Sequence, residues 1–163
     1  METTAIYPGS FDPPTLGHIS LIRRAAAYFH DIVVLVANNP GKDGWLPVDE
    51  RVAMLEEALE GADAVRVCAT DDLVVAFAAR IRPDDRRVVL LRGVRDSEDL
   101  EHELLLAHTN RELSSGIETF LLPASRTLQH ISSTEVRRRV EAGEDVAALL
   151  HPKTAQRLVS ADV

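Results

Sequence analysis

The sequence predicts a doubly wound α/β fold, in which a five-stranded parallel sheet carries helices on both faces. Three observations lead there. Strand-like apolar runs alternate with helix-like segments along all 163 residues. The run Ile32–Ala37 (IVVLVA) is apolar without a break, as strands covered on both faces of a parallel sheet are. Short connections join the elements, and repeated βα units joined in this way build a parallel sheet through right-handed crossovers. Ligands in such folds bind beyond the carboxyl ends of the strands, where strand order reverses.

Each element has its own signal. Ala5-Ile6 marks a first strand, and Ile19, Ile22, Ala26 and Phe29 recur at helical spacing beyond it. Between them runs Tyr7–His18 (YPGSFDPPTLGH), a strand-to-helix loop in which Gly9 and Gly17 admit close backbone approach and three prolines stiffen the chain. Ile32–Ala37 is the second strand, and after the loop Asn38–Leu46 Pro47 opens a helix through about Leu59, with Gly61 as its stop. Val65–Ala69 reads as the third strand, Asp71–Ile81 as a helix, Arg87–Leu91 as the fourth strand, Ser97–Leu113 as the longest helix and Glu118–Leu122 as the fifth strand. Ser132-Ser133-Thr134-Glu135 matches the capping box that starts a helix, and Pro152 stands near the start of a last short one.

Length and composition narrow the function. A chain of 163 residues and 17.9 kDa suits one domain spanning 1–163. No apolar run approaches the ~20 residues of a membrane helix. The first residues show no basic stretch followed by an apolar one, and Cys68 is the only cysteine, so a reducing cytoplasm is expected. A net charge of −8 argues against a nucleic-acid-binding face. It leaves room for a small anionic substrate held by a few cations in one cleft.

The candidate site residues all follow strands. A loop that ends at a helix start presents free N–H groups and the positive end of the helix dipole, so anions bind there. His18 stands at that start, and Thr15-x-Gly17-His18 places a hydroxyl, an open backbone and an imidazole around one point. Lys42 lies in the loop after the second strand, between Gly41 and Asp43. Arg92-Gly93-Val94-Arg95 follows the fourth strand, where two guanidinium forks flank a glycine and can grip phosphate. On the long helix, Glu103, Ala107 and Asn110 share one face; Glu103 can accept from a ribose or pair with a nearby arginine. Ile131-Ser132-Ser133-Thr134 sets three hydroxyls at a helix start, suited to a triphosphate, and Arg137 is the inward member of the arginine run that follows.

GSFDPPTLGH resembles the (H/T)-x-G-H signature of the nucleotidyltransferase superfamily. Together with N-P-G-K, R-G-V-R, E-x-x-x-A-x-x-N-R and I-S-S-T in this order, it resembles the bacterial phosphopantetheine adenylyltransferase family over nearly the full length. The resemblance implies adenylyl transfer from ATP to 4′-phosphopantetheine with Mg²⁺, giving dephospho-coenzyme A and pyrophosphate, in a homohexamer. It implies that Ser10, Lys42, Arg92 and Val74 bind the acceptor. It implies that Ser10, Phe11, His18, Gly93, Val94, Arg95, Glu103 and the segment Leu128, Gln129, His130, Ile131, Ser132, Ser133, Thr134 bind ATP, with His18, Lys42 and Arg92 catalytic. Two departures stand out: Leu128-Gln129-His130 replaces an aromatic-x-aromatic pattern, and Pro47 replaces a Ser or Thr cap. Adenylyltransferases for nicotinamide or nicotinate mononucleotide and small cytidylyltransferases are the alternatives, and a non-catalytic nucleotide-binding module is the alternative of another class.

Overall fold

Strand order β3-β2-β1-β4-β5 sets the architecture: the chain adds β1 (Thr3–Gly9), β2 (Asp31–Ala37) and β3 (Val65–Thr70) in one direction, then returns to place β4 (Arg87–Val94) and β5 (Glu118–Pro123) on the other side of β1. All four pairings are parallel. The computed structural model describes residues 2–38, 41, 44–81, 87–114 and 116–160. The helices are α1 (Leu16–Ala25), α2 (Val48–Ala58), α3 (Val74–Ile81), α4 (Ser97–Leu113), α5 (Ser133–Glu141) and α6 (Pro152–Ser160), with a 3₁₀ turn at Ala147–Leu149.

Both faces of the central strands are covered, which is why β2 reads as an unbroken apolar run, whereas the edge strands β3 and β5 keep exposed residues such as Arg66 and Glu118. Ala5, Val34, Val36, Val89 and Leu91 pack under α1 and α2, while Ile6, Val33, Leu35, Val88 and Leu90 pack under α3. A third cluster (Leu46, Met54, Ile131, Val136, Leu149, Leu150 and Leu158) joins α2, α5 and α6. Ile131 thereby anchors the start of α5 beside the loop after β1. The helix α4 is different, since its one buried residue is Glu103 and its Leu104, Leu105 and Leu113 are exposed.

The register opens a crevice. β1 pairs with β2 as far as Gly9↔Val36 but with β4 only as far as Ile6↔Leu90. Beyond that point Arg92, Gly93 and Val94 pair with β5 instead. The central strands therefore part at their carboxyl ends, at the point where the order reverses.

All five strands and all six expected helices lie where the sequence puts them, with differences at the ends. β4 runs on to Val94 rather than ending at Leu91, so Arg92, Gly93 and Val94 are its last residues rather than following it, because they continue the pairing with β5. α3 begins at Val74 rather than Asp71, because the Thr70 hydroxyl accepts from the Asp72 N–H at 3.1 Å and holds that stretch as a turn. Pro47 is the residue before α2 rather than its first; it caps nothing with its side chain, and Asp49 and Glu50 oppose the dipole in its place. The apolar spacing reaches Phe29, but α1 ends at Ala25 and Phe29 packs edge-on against Phe120, with centroids 5.8 Å apart.

Candidate active site

The crevice between β1 and β4 is a cavity of about 290 Å³. Its floor is the end of β1 and the loop after it, held by their carbonyls. Arg92 Nη1 donates to the Pro8 carbonyl at 2.6 Å, Arg51 Nη1 to the Ser10 carbonyl at 2.9 Å, Arg137 Nη1 to the Asp12 carbonyl at 2.5 Å and the Ser133 hydroxyl to the Pro13 carbonyl at 2.8 Å. The Asp12 carboxylate accepts from the Trp45 and Leu46 N–H groups at 2.7 and 2.8 Å. Phe11, at the crest, has φ +47°, a left-handed conformation that non-glycine residues adopt at a cost of order 1–3 kcal/mol. Its side chain is 1% exposed, and burial of the ring offsets that cost.

His18 lines this crevice at the first turn of α1. Its Nδ1 accepts from the Thr15 N–H at 3.0 Å and lies 3.1 Å from the Thr15 hydroxyl. The bond assigns the tautomer: Nδ1 keeps its lone pair, and Nε2–H remains as the donor. Phe11 meets the imidazole edge-on at 5.0 Å and Tyr7 lies 6.5 Å away. Desolvation by this aromatic surround, then the charges of Arg95 and Arg92, push its pKa down from 6.5 to about 4. The ring is neutral at physiological pH. Tyr7, buried beneath it, is pushed up to about 12 by desolvation and stays a phenol.

Two arginines face it from the end of β4. Arg92 forms a bidentate pair with Glu103, Nε to Oε2 at 2.7 Å and Nη2 to Oε1 at 2.5 Å. Glu103 is therefore an ion-pair partner here, the second of the two roles its position on α4 allows. Burial works against the Arg92 cation, and the Glu103 bonds more than offset this, holding it above its ordinary value. Arg95 pairs with Asp99 one turn along, at 3.3 Å, with 41% of its side chain exposed. Gly93 lies between them because α1 leaves no room, since a Cβ there would come within 2.5 Å of Leu21 Cδ1.

The far wall is the start of α5. Ser132 is its N-cap and accepts from the Glu135 N–H at 3.1 Å, while the Glu135 carboxylate bonds Arg138 and Arg139. Of the three hydroxyls expected to face a triphosphate, Ser133 is committed to Pro13. Thr134 accepts from Arg137 Nη2 at 3.2 Å and keeps its proton to donate. The inward turn of Arg137 is borne out, and its partner is the floor loop.

Of the residues singled out in the sequence, Ser10, Phe11, His18, Arg92, Gly93, Arg95, Glu103, Leu128, Ile131, Ser132, Ser133 and Thr134 line the crevice. Val94, Gln129 and His130 lie beside lining residues without lining it themselves. Val74 packs in the cluster on the α3 face of the sheet. Lys42 lies outside the described residues. Tyr7, Leu21, Asp99 and Ala124 line the crevice without having been singled out. Tyr7 sits within the first motif and was legible there; Leu21 and Ala124 carry no chemical signal and enter only through packing.

The comparisons agree with this geometry. The cytidylyltransferase-like family profile matches residues 6–139. The chain is 41% identical over 155 residues to a phosphopantetheine adenylyltransferase of Thiobacillus denitrificans, covering 95% of this chain and 94% of that one. It is 42% identical over 154 residues to a phosphopantetheine adenylyltransferase of Symbiobacterium thermophilum, covering 94% and 93%. Among solved structures, a Plasmodium falciparum nicotinic acid mononucleotide adenylyltransferase complexed with NaAD superposes with a TM-score of 0.76, covering 100% of this chain and 97% of that one at 14% identity, a likeness of fold.

Proposed function

The chain belongs to the phosphopantetheine adenylyltransferase family, and on that premise we propose that it transfers the adenylyl group of ATP to 4′-phosphopantetheine, forming dephospho-coenzyme A and releasing pyrophosphate. The observation that carries the reading is the crevice itself, where a neutral imidazole, two arginines and a helix N-terminus converge at the reversal of strand order. That arrangement suits two anionic reactants held side by side.

The acceptor phosphate is already a nucleophile. One of its oxygens attacks the α-phosphorus in line, the new P–O bond forms as the bond to the β-phosphate breaks, and the electron pair leaves with pyrophosphate. No proton needs to be removed from the acceptor, so the side chains have positioning and charge to supply. His18 donates from Nε2 to an α-phosphate oxygen as a neutral hydrogen-bond donor. Arg92 keeps two N–H protons beyond those given to Glu103 and Pro8, and these meet charge shared by acceptor and α-phosphate, with Lys42 in the same role. Arg95 and the start of α5 receive the leaving pyrophosphate. Ser10 binds on the acceptor side, with Val74 along the arm.

Mg²⁺ fits as part of the nucleotide substrate. The carboxylates that line the crevice, Asp99 and Glu103, are both taken by arginines, and among the described residues no three His, Cys, Asp or Glu side chains gather to hold a metal. Hydroxyls and phosphate oxygens are the donors that remain, and these suit an ion that keeps several waters and binds through phosphates.

The exposed leucines of α4 support an oligomer, and a hexamer is the proposed assembly. No helix among the described residues is long and apolar enough to cross a membrane. A cytoplasmic enzyme is the proposed setting.

A panel of acceptors offered with ATP or CTP, reading pyrophosphate release, tests the reading. Release with ATP and 4′-phosphopantetheine is expected. Release only with a mononucleotide acceptor or with CTP would replace it, and ATP binding without release under any pairing would mark a non-catalytic module.

A further inference from the structure

Arg51 lies on α2, a helix whose sequence gives no sign that its arginine is inside, yet the residue is only 4% exposed. Buried arginines are ordinarily paired with an acid. This one has only neutral partners among the described residues. Nη1 donates to the Ser10 carbonyl at 2.9 Å, Nη2 reaches Asn38 Oδ1 at 3.5 Å, and Nε is buried with no partner.

The surroundings are built around it. Asn38, at the end of β2, passes the connection on by donating Nδ2 to Asp71 Oδ1 at 2.7 Å beyond β3. Gly44 leaves the guanidinium its space, since a Cβ there would stand 3.1 Å from Arg51 Nη2 and 3.3 Å from Asp12 Oδ2. One guanidinium thus joins the carboxyl ends of β1 and β2, and through Asn38 that of β3.

We propose that Arg51 is a positioning residue for the acceptor half of the reaction. Its fork fixes the Ser10 peptide, and its charge, which forms no ion pair among the described residues, draws the acceptor's phosphate towards Ser10. The inference rests on the reading of the chain as a transferase to a phosphorylated acceptor. Arg92, by contrast, shares its charge with Glu103.

Arg51→Met and Arg51→Lys in the full chain test this, with calorimetric Kd for 4′-phosphopantetheine and for ATP measured separately, alongside kcat, each KM and the melting temperature. Arg51→Met is expected to weaken 4′-phosphopantetheine by about tenfold or more while ATP stays within about threefold, since the lost bonds are charge-assisted and hold the Ser10 peptide, the proposed acceptor contact. Arg51→Lys keeps the charge and loses the fork, so it recovers most of the acceptor affinity but not kcat. Equal weakening of both ligands, no change in either, or an Arg51→Lys protein as impaired in acceptor binding as Arg51→Met would overturn the proposal. If Arg51→Met fails to fold, the split between the two ligands in Arg51→Lys decides: acceptor KM and ATP KM raised together would overturn it. Wild-type protein that binds ATP but not 4′-phosphopantetheine would sink the functional reading first, before any variant is made, and this inference with it.

Discussion

The backbone N–H of Thr15 holds Nδ1 of His18 at 3.0 Å, so the imidazole enters the crevice in a single tautomer with its proton on Nε2. The donor is supplied by the peptide group before the helix, three residues from the ring it orients. A side chain at position 15 is not needed for that bond, although the Thr15 hydroxyl lies within 3.1 Å of the same nitrogen.

His18→Ala is expected to lower kcat by about 10²–10³, the cost of losing one preorganised donor to transition-state charge, while the Kd for ATP changes only a few-fold. Single-turnover rates and calorimetry on the same preparation check both halves. A variant that binds ATP poorly and turns over normally once saturated would reassign His18 to binding.

The same histidine predicts a pH dependence. Its pKa is about 4 in the folded chain against 6.5 unfolded, so between these values the unfolded chain takes up a proton that the folded one refuses. Stability is complete above about pH 6.5 and falls as pH drops towards 4, by up to about 3 kcal/mol for a shift of this size. Urea unfolding from pH 4 to 7 should show that slope in the wild type and a shallower one in His18→Ala. The kcat/KM profile, which reports the free enzyme, should lack a His18 limb between about pH 5 and 8, because the ring stays neutral throughout.

Arg92 and Glu103 predict unequal consequences. Glu103 is 4% exposed, and removing its partner leaves a buried carboxylate alone, a loss of about 3–5 kcal/mol in Arg92→Met. The double variant Arg92→Met/Glu103→Leu should regain most of that stability and none of the turnover. Denaturation midpoints paired with kcat separate the structural part of Arg92 from its part in the reaction.

Gly93 predicts a steric coupling. Gly93→Ala sets a methyl 2.5 Å from Leu21 Cδ1, and overpacking of this kind costs about 1–3 kcal/mol. Leu21 is itself a wall of the crevice, so ATP affinity should fall too. Adding Leu21→Ala should restore part of both, giving a coupling of about 0.5–3 kcal/mol in a double-mutant cycle.

The exposed face of α4 predicts assembly. Leu105→Glu, at a side chain 65% exposed, should shift the protein to smaller species in light scattering without unfolding it. An unchanged mass would move the proposed interface elsewhere.

Residue order alone determined the sheet, because strands buried on both faces must be apolar throughout and helices buried on one face must be periodic, and both patterns survive in a one-dimensional string. It also placed Ser10 and Arg92 by strand ends and His18 and Ser132 at the helix starts that follow, which is where a parallel sheet puts its ligands. What it left open was partnership. Glu103 was equally suited to a ribose or an arginine until the fold set Arg92 against it, and Ser133 was one of three equivalent hydroxyls until Pro13 took its proton. Arg51 looked like any charged residue on a polar helix, and only tertiary packing buried it under the Ser10 carbonyl. Those choices depend on which groups from distant parts of the chain are brought within about 3 Å of one another, the reach of a hydrogen bond, and no local pattern encodes that distance.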